Sequence, residues 1–394
     1  MNFTTRCKKL QKKTITMTFL QDILRLIVTL LQRIYFYLRP FFSSSPITIQ
    51  FDSGLSATIE HQIAEGGFSY IYSAHDTSSP RVKYALKRII CPDEETRVSC
   101  RSEAKIHRTL SNHDNIMKLL GFKFLDHNNN KSDTLCYMLF PLITGGSLRD
   151  EINKRGLLND DAITQGHVRC FTNSEILDIF LGLLKGVKAM HDAGYAHCDI
   201  KLENIMLDSS SSSYRDEEMG SSSIGTPLLM DFGSARKLVI KLVDRRTVFN
   251  LTEEASQNST VSYRAPELFD GGCRHGPEEP DVDGKIDVWS CGCVLYGMMY
   301  GTSPFEMEFR QDGTVRVSDC THLRVLGGKI PFPPKNKEAS YGYSKALNDL
   351  VKWLLIVDRK ERPDLDSVLK RVEEAISSTG KMSSFDGITK NAIV

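Results

Sequence analysis

No Cys-x-x-Cys spacing occurs among the ten cysteines, which removes the usual signature of a structural zinc site. Their scatter does not suit a small disulfide scaffold either, and reduced intracellular thiols are the expectation. No uncharged window of about 20 residues exists in the most apolar stretch, residues 15–42, because Asp22, Arg25 and Arg33 interrupt it. A spanning helix is therefore disfavoured. Net charge is nearly absent, at +1, but residues 1–40 hold eight Lys or Arg against Asp22 alone, +7, leaving −6 for the remainder. Basic charge gathered at one end does not make a nucleic-acid-binding body; it suits a segment meeting an anionic membrane surface.

What is present is ordinary for a folded enzyme. Hydrophobic residues make up 41% and charged residues 25% of 394 positions, which accommodates one two-lobed unit of roughly 250 to 300 residues with extensions. Within the basic end, Thr18, Asp22, Arg25, Thr29 and Gln32 recur at steps of four and three, on one narrow helical face. An interfacial amphipathic helix is the preferred reading, with a signal-anchor or a targeting presequence as alternatives. From residue 58, the runs ATIEHQI, SYIYSAH and VKYALKRII read as antiparallel strands, interrupted by a helix near 94–110. Beyond residue 174, Ile176, Ile179, Phe180, Leu183, Leu184 and Val187 follow helical spacing. The fold class is α+β: a small five-stranded antiparallel lobe, a hinge near 141–147 and a larger helical lobe. The expected division is an extension over 1–57, a catalytic domain over 58–375 with a serine-rich insertion at 208–226, and a flexible tail over 376–394.

Several short motifs carry chemistry. AEGGFSYIYSA at 64–74 places small residues between two strands, where backbone amides can approach phosphate oxygens. By itself the fragment reads more simply as a plain β-turn. YALK ends on Lys87, positioned to reach phosphates as a point charge, with Glu103 on the next helix as its partner. HCDIKLEN at 197–204 is the most specific segment: Asp199 can accept a hydroxyl proton, Lys201 can neutralise a transferring phosphoryl group and Asn204 can hold magnesium. DFG at 231–233 supplies Asp231 as the principal oxygen ligand for that hard cation, and APE follows at 265–267. Each fragment alone is unremarkable. Their order and spacing make coincidence improbable.

These motifs resemble the eukaryotic protein kinases over about residues 58–375. EGGFSYI, YALKRI, NSTVSYRAPELF and DVWSCGCVLYGMMYGTSPFE are similar to the Numb-associated kinase family, in particular its small Golgi-associated, lipid-anchored serine/threonine type. The resemblance implies an ATP- and Mg2+-dependent serine/threonine kinase acting on proteins, with room for minor tyrosine activity and a link to membrane trafficking. It implies nucleotide contacts at Ala64, Glu65, Gly66, Gly67, Phe68, Ser69, Ile71, Ala85 and Lys87, with Phe140 as gatekeeper and Pro141 and Ile143 meeting the adenine. It further implies a Lys87–Glu103 ion pair, Thr260 contacting Asp199 and Lys201, Asp287 bracing the catalytic loop, and Arg362 pairing with Glu267.

The chain departs from the family pattern at three places. Ala64 and Ser69 occupy the first and third glycine positions of the loop, and Cys198 replaces the arginine before Asp199. A thiol cannot pair with an activation-segment phosphate as a guanidinium would. The chain begins Met-Asn-Phe, not Met-Gly, so N-myristoylation is not expected, and Cys7 is more simply a free thiol than a palmitoylation site. Ala64, Ser69 and Cys198 motivate a competing reading, a pseudokinase scaffold. Lys87, Asp199, Asn204 and Asp231 weigh against it. A metabolic or lipid kinase is weighed against by the APE segment and Thr260. The expected location is the cytoplasmic face of an endomembrane such as the Golgi, or a signal-anchored position; the sequence is silent on oligomeric state.

Overall fold

The computed structural model describes residues 47–389, apart from 67–68, 127–133, 157–170, 212–223, 243, 271–280, 313 and 336–340. The expected interfacial helix, Gly67 and Phe68, and most of the serine-rich insertion lie outside the described residues. Among those described, no helix is long and apolar enough to cross a membrane.

The first lobe is an antiparallel sheet of strands β1 (Thr48–Gln50), β2 (Ser56–Glu65), β3 (Ser69–Asp76), β4 (Lys83–Cys91), β5 (Gly121–Asp126) and β6 (Thr134–Pro141), in the order β1-β2-β3-β4-β6-β5. The sheet has six strands where five are expected from sequence. The extra one, β1, falls within the expected extension; three residues are too few to display a period. It is held by Ile49, which is buried, and by a 3.0 Å hydrogen bond between the hydroxyls of Thr48 and Thr58.

Alternation along β4 and β6 builds two separate cores. Tyr84 and Leu86 of β4 and Leu135, Tyr137 and Leu139 of β6 pack on one face with Tyr70 and Tyr72. Ile89 and Cys91, with Cys136, Met138 and Phe140, pack on the other against helix α1 (Glu94–Thr109). Because successive side chains of a strand point to opposite faces, Lys87 falls on the α1 side while buried Arg88 lies over the Tyr70 and Tyr72 rings at 4.9 and 4.8 Å. Helix α1 starts at Asp93, whose carboxylate accepts from the Thr96 amide, and buries Cys100, Glu103, Ala104 and His107. That is an i, i+3, i+4, i+7 stripe.

The second lobe is helical: α2 (Leu148–Lys154), α3 (Asn173–Asp192), α4 (Arg245–Asn258), α5 (Glu267–Asp270), α6 (Lys285–Tyr300), α7 (His322–Gly327), α8 (Lys345–Leu354) and α9 (Leu365–Thr389). A Thr172–Glu175 capping box opens α3, and α6 is buried along nearly its whole length, as an all-round apolar helix must be. Short strands β7 (Tyr195–Ala196), β8 (Ile205–Asp208), β9 (Thr226–Leu229) and β10 (Arg236–Lys237) pair as β7 with β10 and β8 with β9, framing the catalytic loop. Helix α9 continues to Thr389 through residues expected to form a tail from 376. Buried Leu365, Val368 and Val372 anchor its start, and no proline interrupts its later turns.

Candidate active site

Asp287, at the start of α6, is fully buried and fixes the loop after β7. It accepts from the backbone amides of His197 (2.8 Å) and Cys198 (2.9 Å) and from His191 Nε2 (2.8 Å). Burial opposes the negative charge, but the hydrogen bond and attraction from His191 outweigh it, and the carboxyl lies below its usual range. The two amides it grips hold Cys198 at φ 68, in the left-handed region. Asp231 has φ 65, and no other non-glycine residue among those described has a positive φ. Both departures fall at the site, where such strain concentrates.

This clamp presents Asp199. Its Oδ1 accepts from the Thr260 amide and hydroxyl, each at 2.9 Å, and its Oδ2 accepts from Lys201 Nζ at 2.6 Å. Lys201 also donates to the Thr260 hydroxyl at 3.0 Å, closing a three-residue ring. Asn204 donates through Nδ2 to the Asp199 carbonyl at 2.8 Å, which leaves its Oδ1 as an available acceptor.

Lys87 spans the lobes, donating to Glu103 Oε1 and to Asp231 Oδ1 at 2.8 Å each. Burial opposes its charge, yet the two carboxylates prevail and hold Lys87 protonated. Attraction to Lys87 depresses Asp231 to about 2, while burial raises Glu103. Asp231 Oδ2 makes no hydrogen bond among the described residues. No group of three or more His, Cys, Asp or Glu able to hold a metal occurs among them. Two oxygens, Asn204 Oδ1 and Asp231 Oδ2, nevertheless fit a hard cation that completes its shell with water and substrate phosphate.

The nucleotide side is apolar. Ala85, Ile143, Met206, Leu228 and Met230 each pack, partly buried, against the core that contains Met138 and Phe140, while Ala85 pairs with Phe140 and Tyr84 with Pro141 across β4 and β6. Ile71 faces both Ala64 and Lys87 in register, and Glu65 pairs with Tyr70. The Gly66 amide donates to the Ser69 carbonyl at 2.8 Å, closing the turn. Farther off, Arg362 is buried and grips both oxygens of Glu267, at 2.7 and 3.0 Å.

Met206 and Leu228 are missed by sequence reading, since nothing in their immediate neighbours marks them. Helix α4 is likewise missed by sequence reading, although a signal for it is there: Asp244 caps it through the Thr247 amide, and Val248, Leu251 and Ala255 recur at three and four. It lies in the segment between DFG and APE. Leu251 and Ala255 line a small apolar pocket with Cys198, Ile240 and Leu268, and Arg236 of β10 pairs with Glu254 at 2.7 Å. Burial raises the Cys198 thiol, which keeps it uncharged.

The protein kinase domain model matches residues 57–372. Serine/threonine-protein kinase 16 of mouse is 33% identical over 312 residues, 79% of this chain and 88% of that protein. A probable serine/threonine-protein kinase of Dictyostelium discoideum is 31% identical over 378 residues, covering 83% and 95%. Actin-regulating kinase 1 of Saccharomyces cerevisiae is 28% identical over 319 residues, 79% of this chain and 42% of its own length. With the cleft, the Lys87 bridge and the Asp199 ring assembled in one bilobal α+β fold, the chain belongs to the protein kinase domain family and is a serine/threonine protein kinase.

Proposed function

We propose that Asp199 is the catalytic base and that this chain is an active enzyme, not a scaffold. The observation that carries this reading is the closed ring of Asp199, Lys201 and Thr260, which holds the carboxylate ready for a hydroxyl. The γ-phosphate of ATP passes in line to a Ser or Thr hydroxyl of a protein, whose proton Asp199 receives while Lys201 neutralises the transferring group. Lys87, held by Glu103, positions the α- and β-phosphates, and Ala85, Ile143, Met206 and Leu228 flank the adenine. Asn204 and Asp231 would hold Mg2+, which screens the charge of the phosphates.

The motif resemblance supports placement in the Numb-associated group, and the basic, apolar N-terminal segment supports attachment to a membrane surface linked to trafficking. Asp199→Asn tests the chemistry. It removes the proton acceptor and keeps the phosphate clamp, so turnover should fall by three orders of magnitude or so with fluorescent-nucleotide affinity within a few fold. Retention of most turnover would sink the assignment of Asp199.

A further inference from the structure

His107 lies on α1 one turn beyond Glu103 and is fully buried. Its ring reaches both ends of the cleft: the centroid is 4.2 Å from Phe232, next to Asp231, and 5.1 Å from Phe140 near the end of β6. Phe232 in turn meets His197 edge-on at 5.6 Å. His107 Nδ1 stands 2.9 Å from the Met117 carbonyl oxygen, and a carbonyl only accepts, so Nδ1 carries the hydrogen. Nε2 is then a bare acceptor, buried and without a hydrogen-bond partner among the described residues. A second proton would have to go there, with no acceptor to receive it.

The charged groups around the ring act in both directions. Burial is the largest influence and disfavours the cation, as do Lys87 of β4 and His197 of the catalytic loop; the Met117 carbonyl and Asp231 favour it. Glu103 lies one turn back on the same buried face of α1, and Lys87 already pairs with it. The balance pushes His107 down to about 4, against an ordinary value of 6.5.

We propose that His107 is a positioning residue whose neutral ring couples α1 to Phe232, so that the Lys87–Glu103–Asp231 arrangement comes apart when the ring takes up a proton. An outward shift of α1 returns the ring to water and to its ordinary proton affinity, so acid favours the displaced helix. Glu103 shares the buried face with His107, and the same shift carries it off Lys87. The inference rests on the roles proposed above for Glu103 and Asp231.

The test is a pH series of kcat/KM, from 8.0 to 5.0, on a serine peptide with ATP and magnesium, for the full-length wild type, His107→Leu and His107→Gln. Leu fills the space and cannot ionise; Gln keeps a donor for Met117 and cannot ionise either. The ratio of wild type to variant should fall between pH 7.5 and 5.5, by up to about tenfold, the factor by which a group titrating at 6.5 when free and about 4 when packed moves the balance between the two helix positions. Binding of fluorescent ADP with magnesium should weaken in parallel. A ratio that does not fall at all as the pH is lowered, in whichever variant melts cooperatively, overturns the proposal and leaves the kinase reading intact. A wild type inactive at every pH overturns that reading instead. In the wild type itself, a His107 imidazole resonance that titrates near its ordinary value in the folded enzyme overturns the proposal whatever the variants do.

Discussion

Arg362 donates to five oxygens at once: both of Glu267 and the carbonyls of Ile356, Lys285 and Val357, with its guanidinium 5.0 Å above the Trp289 ring. Neither partner of the ion pair has appreciable contact with water. Removing one partner leaves the other charged, buried and unpaired, so Arg362→Ala should lower unfolding free energy by about 3–5 kcal/mol. Urea denaturation checks this; a change under about 1 kcal/mol would mean that the pair behaves as an exposed one. Residues of this kind were only half legible. Asp199, Lys201 and Asn204 sit within six positions, and their types announce their chemistry. Thr260 is 61 residues from Asp199, and Arg362 is 95 from Glu267, so only resemblance connects them. His107 carries no mark in its neighbours, because inward direction follows from the whole stripe on α1 and the partner ring comes from Phe232, far along the chain.

Among the elements, strong periodicity was readable and short or irregular pieces were not. Helix α1 agrees with the expected 94–110, and the strands around SYIYSAH and VKYALKRII stand where alternation puts them. Strand β1 has three residues, and α9 extends over a serine-rich stretch whose composition suggested a tail. Local composition understated what an anchored helix can propagate. Helix α4 bears on control. Its apolar face meets Cys198 through Leu251 and Ala255, and Glu254 already occupies Arg236. The space beside Cys198 is thus filled by apolar packing, and Arg236 already has a carboxylate partner. Enzyme treated with a phosphatase, then freed of it, should keep its activity. A tenfold loss, about 1.4 kcal/mol of barrier, would show that a phosphate does contribute there.

For the molecule as a whole, the charge division of +7 in residues 1–40 against −6 elsewhere gives it a basic end and an acidic body. Leu20, Ile23, Leu24, Ile27, Leu30, Leu31 and Ile34 would share a broad apolar face were the segment helical, at 3.6 residues per turn. Burying such side chains contributes roughly 1.5 to 3 kcal/mol each, and Arg6, Lys8, Lys9, Lys12 and Lys13 add about 1 kcal/mol apiece near anionic lipid. The whole enzyme should therefore sediment with membranes, be stripped by alkaline carbonate and be released by charge reversal of the five basic residues. Resistance to carbonate would indicate a spanning signal-anchor, and cleavage near residue 40 an organellar presequence.

The pairing of β8 with β9 has a consequence for how such a chain can vary over generations. Asp208 stands opposite Thr226 and Ile205 opposite Leu229, so the ladder is closed on both sides of the serine-rich stretch. Asn204 directly precedes one strand and Asp231 follows the other by two residues, and their separation in space is set by the register, whatever the length of the connection. Closing a longer loop adds only about 0.6 kcal/mol per doubling of its length. Drift in length is nearly neutral there. In β4 the opposite holds: a single inserted residue between Tyr84 and Lys87 would exchange inside for outside and turn Lys87 into the tyrosine-rich core. One fold thus contains a stretch whose length the site does not sense and another whose parity the site requires.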